Sequence, residues 1–239
     1  ASTQTHHAAN DRMNDSIRVD ANQLRCQIVA EGGNLGFTQA ARVEFSLLGG
    51  RIYTDSIDNA GGVECSDQEV NLKILLNQAV DSGELTLSQR KKVLRDLTPD
   101  ITRRVLEHHA LNTLALEVAG MMAAAMLNVH TRFIQHLEAQ NRLDRQREGL
   151  PSEEAVHLRK LQKKGLVAPE LSVLLAYAKM HVYPAILASD IPDDFAYSDV
   201  LVSYFPRHAF ELASEALTMH PLKREIISTQ LTFDLVNRM

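Results

Sequence analysis

Leu24-Arg-Cys-Gln-Ile-Val-Ala30, running into Glu31-Gly-Gly-Asn-Leu-Gly36, and Arg51-Ile-Tyr-Thr-Asp55, running into Asp58-Asn-Ala-Gly-Gly62, decide how this chain is read. Each apolar run is short, partly β-branched and stopped by a glycine turn, the pattern of a buried strand. Between them, Phe37 to Leu48 places Phe37, Ala40, Ala41, Val43 and Leu47 near helical spacing and ends at Gly49-Gly50, a helix-stop signal. Strand, turn, helix, strand, turn is the grammar of a right-handed βαβ unit. A two-stranded parallel sheet leaves edges and faces uncovered, so the reading expects further sheet upstream of these residues.

The character changes outward from this stretch. Thr3 to Asn22 is polar and without period, and reads as a leading loop. Val70, Leu72, Ile74, Leu75, Leu76 and Ala79 form an apolar helical stripe over 68–80 that Gly83 ends. Thr86-Leu-Ser-Gln89 has capping-box form. Thr98-Pro-Asp opens a helical pattern running to about Leu143, and further helices are expected over 152–164, from Ala168 to about Ser189, over 198–204, and from Pro206 and Pro221. The expected fold class is therefore mixed: a short α/β remnant, then a mainly α-helical region. The expected domains are 1–66 and 67–239.

With 239 residues and 45% hydrophobic content, the chain can bury a core. Twenty-five basic against thirty acidic residues give a net charge of -5, which argues against nucleic acid and anionic membrane as partners. The most apolar run, Leu114 to Val129, is shorter than the ~20 residues a bilayer span needs. Two cysteines, Cys26 and Cys65, exclude a disulfide framework, and no CxxC or Cys/His cluster offers a metal site. A reducing, cytoplasmic setting is expected. His108 and His109 are adjacent on a helix and point about 100° apart, so they do not form a metal-binding pair. Met121, Met122 and Met126 with Ala123 to Ala125 read as a close helix–helix contact. Basic clusters at 142–147 and 159–164 read as solvated faces.

Both glycine turns follow expected strands, where open α/β sheets bind ligands. Glycine admits a ligand to the backbone, and an asparagine amide offers both a donor and an acceptor, which suits a carboxamide such as that of nicotinamide. The competing reading is structural: Gly33, Gly61 and Gly62 supply positive φ, and the asparagines cap helices. No GxGxxG occurs, so pyrophosphate binding is not argued.

The segments Val29-Ala-Glu-Gly-Gly-Asn-Leu-Gly-Phe-Thr-Gln39 and Gly50 to Leu76, with Asp11-Arg-Met-Asn-Asp15, Pro169-Glu-Leu-Ser-Val-Leu-Leu-Ala-Tyr-Ala-Lys179, Ala188 to Asp194 and His220 to Ile227, resemble the large bacterial NAD-specific glutamate dehydrogenases over nearly the whole chain. The resemblance implies a fragment of a longer enzyme: the end of a Rossmann-like dinucleotide-binding domain and a helical C-terminal region. It implies oxidative deamination of L-glutamate to 2-oxoglutarate and ammonia with NAD as cofactor. It places Gly32, Gly33, Asn34 and Asn59 at the nicotinamide end of NAD, with Gly33 where the wider superfamily has alanine. It places Ser66 against the substrate's side-chain carboxylate, although Ser66 with Glu69 also has capping-box form. No catalytic residue of the family falls in this chain, so the chain alone is expected to be inactive. A homo-oligomer is expected from the apolar stripes at 114–126 and 171–187 and the exposed strand edge. The alternative is a helical regulatory or oligomerisation module with no catalytic role of its own.

Overall fold

The computed structural model describes residues 1–3, 5–10 and 12–238; Asp11, the first residue of one of the quoted segments, lies outside them. It divides into two compact units, one of residues 1–59 and 113–176, the other of residues 60–112 and 177–239.

The expected α/β remnant is not there. Among the described residues no strand or sheet forms, and the region is mostly helical. What survives of the pairing is one isolated parallel bridge, Ile28 with Arg51, in which Val29 N donates to Arg51 O at 2.9 Å and Arg51 N to Gln27 O at 2.9 Å. The physical reason is the lack of neighbours. Ile28 is 66% exposed and Cys26 is also exposed, so the first run has no second layer to bury its faces. The second run gives way to the single-turn helix Asp55–Asp58 after four residues.

The helix between them forms as expected, Gln39–Leu47, with the Thr38 side chain accepting from Ala41 N at 3.2 Å. Ala41 and Phe45 from its inner face meet Ala21 and Ile52 in a small core. The same unit takes residues 113–139 of the helix Thr98–Ala139, whose Leu116, Ala123, Leu127, Ile134 and Leu137 are buried at helical spacing along one face. This helix is much longer than its apolar run. By length and composition alone it passes as a membrane span, the one such helix among the described residues.

Gly165 lies against that helix. A Cβ at Gly165 would stand 2.2 Å from Ala123 C and 2.4 Å from Ala123 O, so the contact at Ala123 is backbone on backbone with a loop residue, where a helix–helix contact was expected. The exposed Met121, at 86%, takes no part in it. Glu170, 1% exposed, holds the approach in place by accepting from Arg159 at 2.5 and 2.8 Å and from Val167 N at 2.8 Å. Arg159, expected on a solvated face, instead belongs to the interior.

In the other unit, the helix Gly61–Asp81 packs Leu72, Leu75, Leu76 and Ala79 with Val93, Leu97, Leu217 and Ile227 into a shared core. The Thr86 capping box forms, with Gln89 N donating to Thr86 Oγ1 at 3.2 Å and Thr86 N to Gln89 Oε1 at 2.8 Å, and opens the helix Leu87–Asp96. The closing helices are Ser198–Tyr204, Arg207–Leu212, Ser214–Thr218 and Lys223–Arg238.

Gly165→Ala is expected to lower stability by about 3 kcal/mol in denaturant unfolding, because the methyl group meets fixed backbone rather than a movable side chain. An unchanged midpoint would contradict the close approach.

Candidate functional site

The first glycine turn is organised by charge. Glu31 and Arg42 are each 5% exposed and form a two-pronged ion pair, Nε to Oε2 at 2.5 Å and Nη2 to Oε1 at 2.9 Å. Arg42 Nη2 also lies 3.3 Å from Asp55 Oδ1. Three backbone amides of the turn region end on carboxylates: Glu31 N on Asp58 Oδ2 at 3.1 Å, Leu35 N on Asp55 Oδ2 at 2.9 Å, and Phe37 N on Glu31 Oε1 at 3.0 Å. The guanidinium thus contacts two carboxylates, Glu31 and Asp55, and these two with Asp58 bind the 31–37 backbone to the 55–58 turn. Burial, together with the adjacent Glu31 and Asp55 carboxylates, pushes the Asp58 carboxyl above its ordinary range.

The network brings two of the residues singled out from the sequence together. Asn59, the C-cap of the Asp55–Asp58 helix, donates from Nδ2 to Asn34 Oδ1 at 2.5 Å. One donor and one acceptor are consumed, which leaves the pair an NH2 group on Asn34 and a carbonyl on Asn59. Gly32 and Gly33 are not there for their backbone: neither has positive φ, and a Cβ on either would meet nothing within 4 Å. The one left-handed residue in that turn is Leu35, at φ 60°, held there by Asp55. Gly61 and Gly62 also lack positive φ and open a helix, so the turn-forming reading of the glycines does not hold.

Ser66 falls elsewhere than its capping pattern implied. The helix begins at Gly61, so Ser66 sits in its second turn and cannot cap it. It is exposed and lines a pocket of about 530 Å³ with Asp67, Val70, Asn71, Tyr204 and Glu225 among its walls. The buried Tyr204 hydroxyl donates to Asp67 Oδ2 at 2.8 Å and accepts from Asn71 Nδ2 at 2.8 Å, and burial drives its acidity far down. The pocket walls contain two carboxylates and no basic side chain.

In this unit His108 and His109, though adjacent, both reach Glu64: His108 Nδ1 contacts Oε1, and His109 Nε2 lies 3.4 Å from Oε2. Lys179 donates to Asn112 Oδ1 at 2.6 Å above the Phe233 ring, and burial lowers its ammonium to about 8. Cys65 is exposed. The sequence carried one faint sign of the charge network, a lone arginine, Arg42, flanked on its helix by Ala41 and Phe45; for Asn71 and Tyr204 it carried none.

The catalytic-domain family of bacterial NAD-glutamate dehydrogenases matches residues 1–119, and the C-terminal family of glutamate dehydrogenases matches residues 163–239. The chain is 45% identical over 239 residues to an NAD-specific glutamate dehydrogenase of Pseudomonas aeruginosa and 42% identical over 239 residues to one of Halomonas elongata. One of Mycobacterium tuberculosis is 38% identical over 237 residues, 99% of the chain. The chain spans 15% of the length of each of these relatives.

Arg42→Met is expected to cost about 3–5 kcal/mol, because it strands the buried Glu31, while adding Glu31→Gln recovers part of the loss. Strictly additive losses in denaturant unfolding would contradict the pairing. Asp58→Asn keeps the acceptor for Glu31 N and removes a carboxylate whose folded pKa is raised. The folded state binds the Asp58 proton more tightly, so that stabilisation is present below about pH 4 and is lost as pH rises through the higher folded value. Asp58→Asn should therefore raise the melting temperature at neutral pH and match the parent chain in acid. A variant less stable at pH 7 would overturn the assignment.

Proposed function

The chain belongs to the bacterial NAD-glutamate dehydrogenase family, and from that premise we propose that it supplies the nicotinamide-side turns of an enzyme that oxidises L-glutamate to 2-oxoglutarate and ammonia. Held at Asn34 and Asn59, NAD would supply the hydride acceptor for the glutamate α-carbon, and hydrolysis of the resulting imine by water would give 2-oxoglutarate and ammonia. The observation that carries the proposal is the Asn34–Asn59 pair. The amide NH2 and the carbonyl it leaves are complementary to the two ends of the nicotinamide carboxamide. Open space at Gly32 and Gly33 lets a ring approach the backbone that the Arg42 network holds rigid.

We assign Ser66 to the substrate's side-chain carboxylate. Because the pocket walls beside it are acidic, the counter-cation for that carboxylate comes from outside this chain. The proton-transfer and phosphate-binding groups likewise belong to the rest of the enzyme. Two exposed free thiols, Cys26 and Cys65, fit a cytoplasmic setting. The enzyme is a homo-oligomer in this reading, supported by the exposed stripe Leu114, Val118, Met121 and Met122 on one helix.

In the full-length enzyme, Asn59→Ala is expected to weaken the use of NAD by roughly 1 to 3 kcal/mol, about a tenfold to hundredfold loss in kcat/KM for NAD, with a smaller change in melting temperature. Unchanged NAD kinetics with a lowered melting temperature would make Asn59 structural. Sedimentation of this chain at micromolar concentration is expected to show self-association that Met121→Glu abolishes; a monomer throughout would remove the stripe from the proposal.

A further inference from the structure

Four non-glycine residues among those described have positive φ: Asn10, Leu35, Asn141 and Lys163. Three of them have a reason in the helix they follow. Asn10 caps His6–Ala9, and Asn141 and Lys163 lie two residues past the ends of Thr98–Ala139 and Glu153–Leu161, where a left-handed residue commonly closes a helix. Leu35, at φ 60°, follows no helix. A leucine is sterically disfavoured in that conformation and, unlike asparagine, has no short polar side chain to offset the cost. Asp55 keeps it there: its Oδ2 accepts from Leu35 N at 2.9 Å, while its Oδ1 lies 3.3 Å from Arg42 Nη2.

The strain does not serve a core. Leu35 is 81% exposed, although it is the one apolar side chain from Glu31 to Gly36. Strained residues held by their surroundings cluster where ligands bind. Leu35 is next in sequence to Asn34, whose side chain meets Asn59, and the space at Gly32 and Gly33 is open. The turn therefore presents an amide and, one residue on, an aliphatic surface. A flat ring that carries a carboxamide matches both, with its amide on the asparagines and its apolar face on the leucine.

We propose that Leu35 is a cofactor-contacting residue, the side chain against which the nicotinamide ring packs. The inference rests on the nicotinamide reading of the Asn34–Asn59 pair and adds to it the group that meets the ring itself.

The test is calorimetric binding to the full-length enzyme of NADH, whose reduced ring is uncharged, and of ADP-ribose, which lacks the ring. Leu35→Asn suits the left-handed backbone at similar size and removes the apolar surface. It is expected to keep or raise the melting temperature, to weaken NADH about tenfold and to leave ADP-ribose unchanged. Leu35→Met, which keeps the apolar volume, should bind NADH as the parent enzyme does. Four results would each overturn the proposal: unchanged NADH binding in Leu35→Asn, an equal loss for ADP-ribose, an equal loss in Leu35→Met, or a lower melting temperature with both ligands bound as before, which would give Leu35 to the fold. Asn59→Ala, measured alongside, separates the two readings. If it weakens NADH and Leu35→Asn does not, only the ring contact fails; if neither variant weakens NADH, the nicotinamide reading of the turn fails.

Discussion

A single guanidinium, that of Arg42, sits among the carboxylates of Glu31, Asp55 and Asp58. Three acids near one base repel one another, and the hydrogen bonds that each accepts from backbone or guanidinium offset that repulsion. Glu31 takes the two-pronged contact and the Phe37 amide, Asp55 takes Leu35 N, and Asp58 takes Glu31 N. Burial first, and the neighbouring Glu31 and Asp55 carboxylates after it, raise the Asp58 carboxyl. What the arrangement secures is position. It fixes a glycine-rich loop that has no sheet beneath it, and it delivers Asn34 and Asn59 to each other.

A second two-pronged pair, Arg159 with Glu170, does comparable work in the same unit. Its strength lies in keeping Gly165 pressed on the backbone of the helix Thr98–Ala139, an approach that no side chain could survive. In both cases a buried charge is fully hydrogen-bonded, so the cost of desolvation is met by geometry, and breaking one partner is far worse than never having had the pair. The other unit relies on aliphatic packing around Leu75, Leu76 and Ile227, with buried polar contacts among Tyr204, Asp67, Asn71 and His220 and a second polar group at Glu64, His108 and His109.

Helices and their starts were legible because the determinants are local. Thr38, Thr86 and Ser152 each cap the helix that follows, and the spacing of Leu72, Leu75, Leu76 and Ala79 marks a buried face. The strands were not, because a strand is only as real as its neighbours, and Leu24 to Ala30 has one bridge partner. Ser66 was misplaced as a cap because Gly61-Gly62 read as a break, whereas the helix runs through Gly62 from Gly61. Part of the site was legible: the two asparagines singled out after the glycine turns, 25 residues apart, meet each other, while Arg42 and Asn71 find their partners 11 and 133 residues away, with no periodic signal to announce them.

The most direct measurement is a structure of the full-length protein with NAD bound. The nicotinamide carboxamide is expected within hydrogen-bonding distance of the Asn34 and Asn59 side chains, over the open face of Gly32 and Gly33, with the Glu31–Arg42 pair intact beneath. A carboxamide bound elsewhere, with Asn34 and Asn59 still paired only with each other, would contradict the central claim.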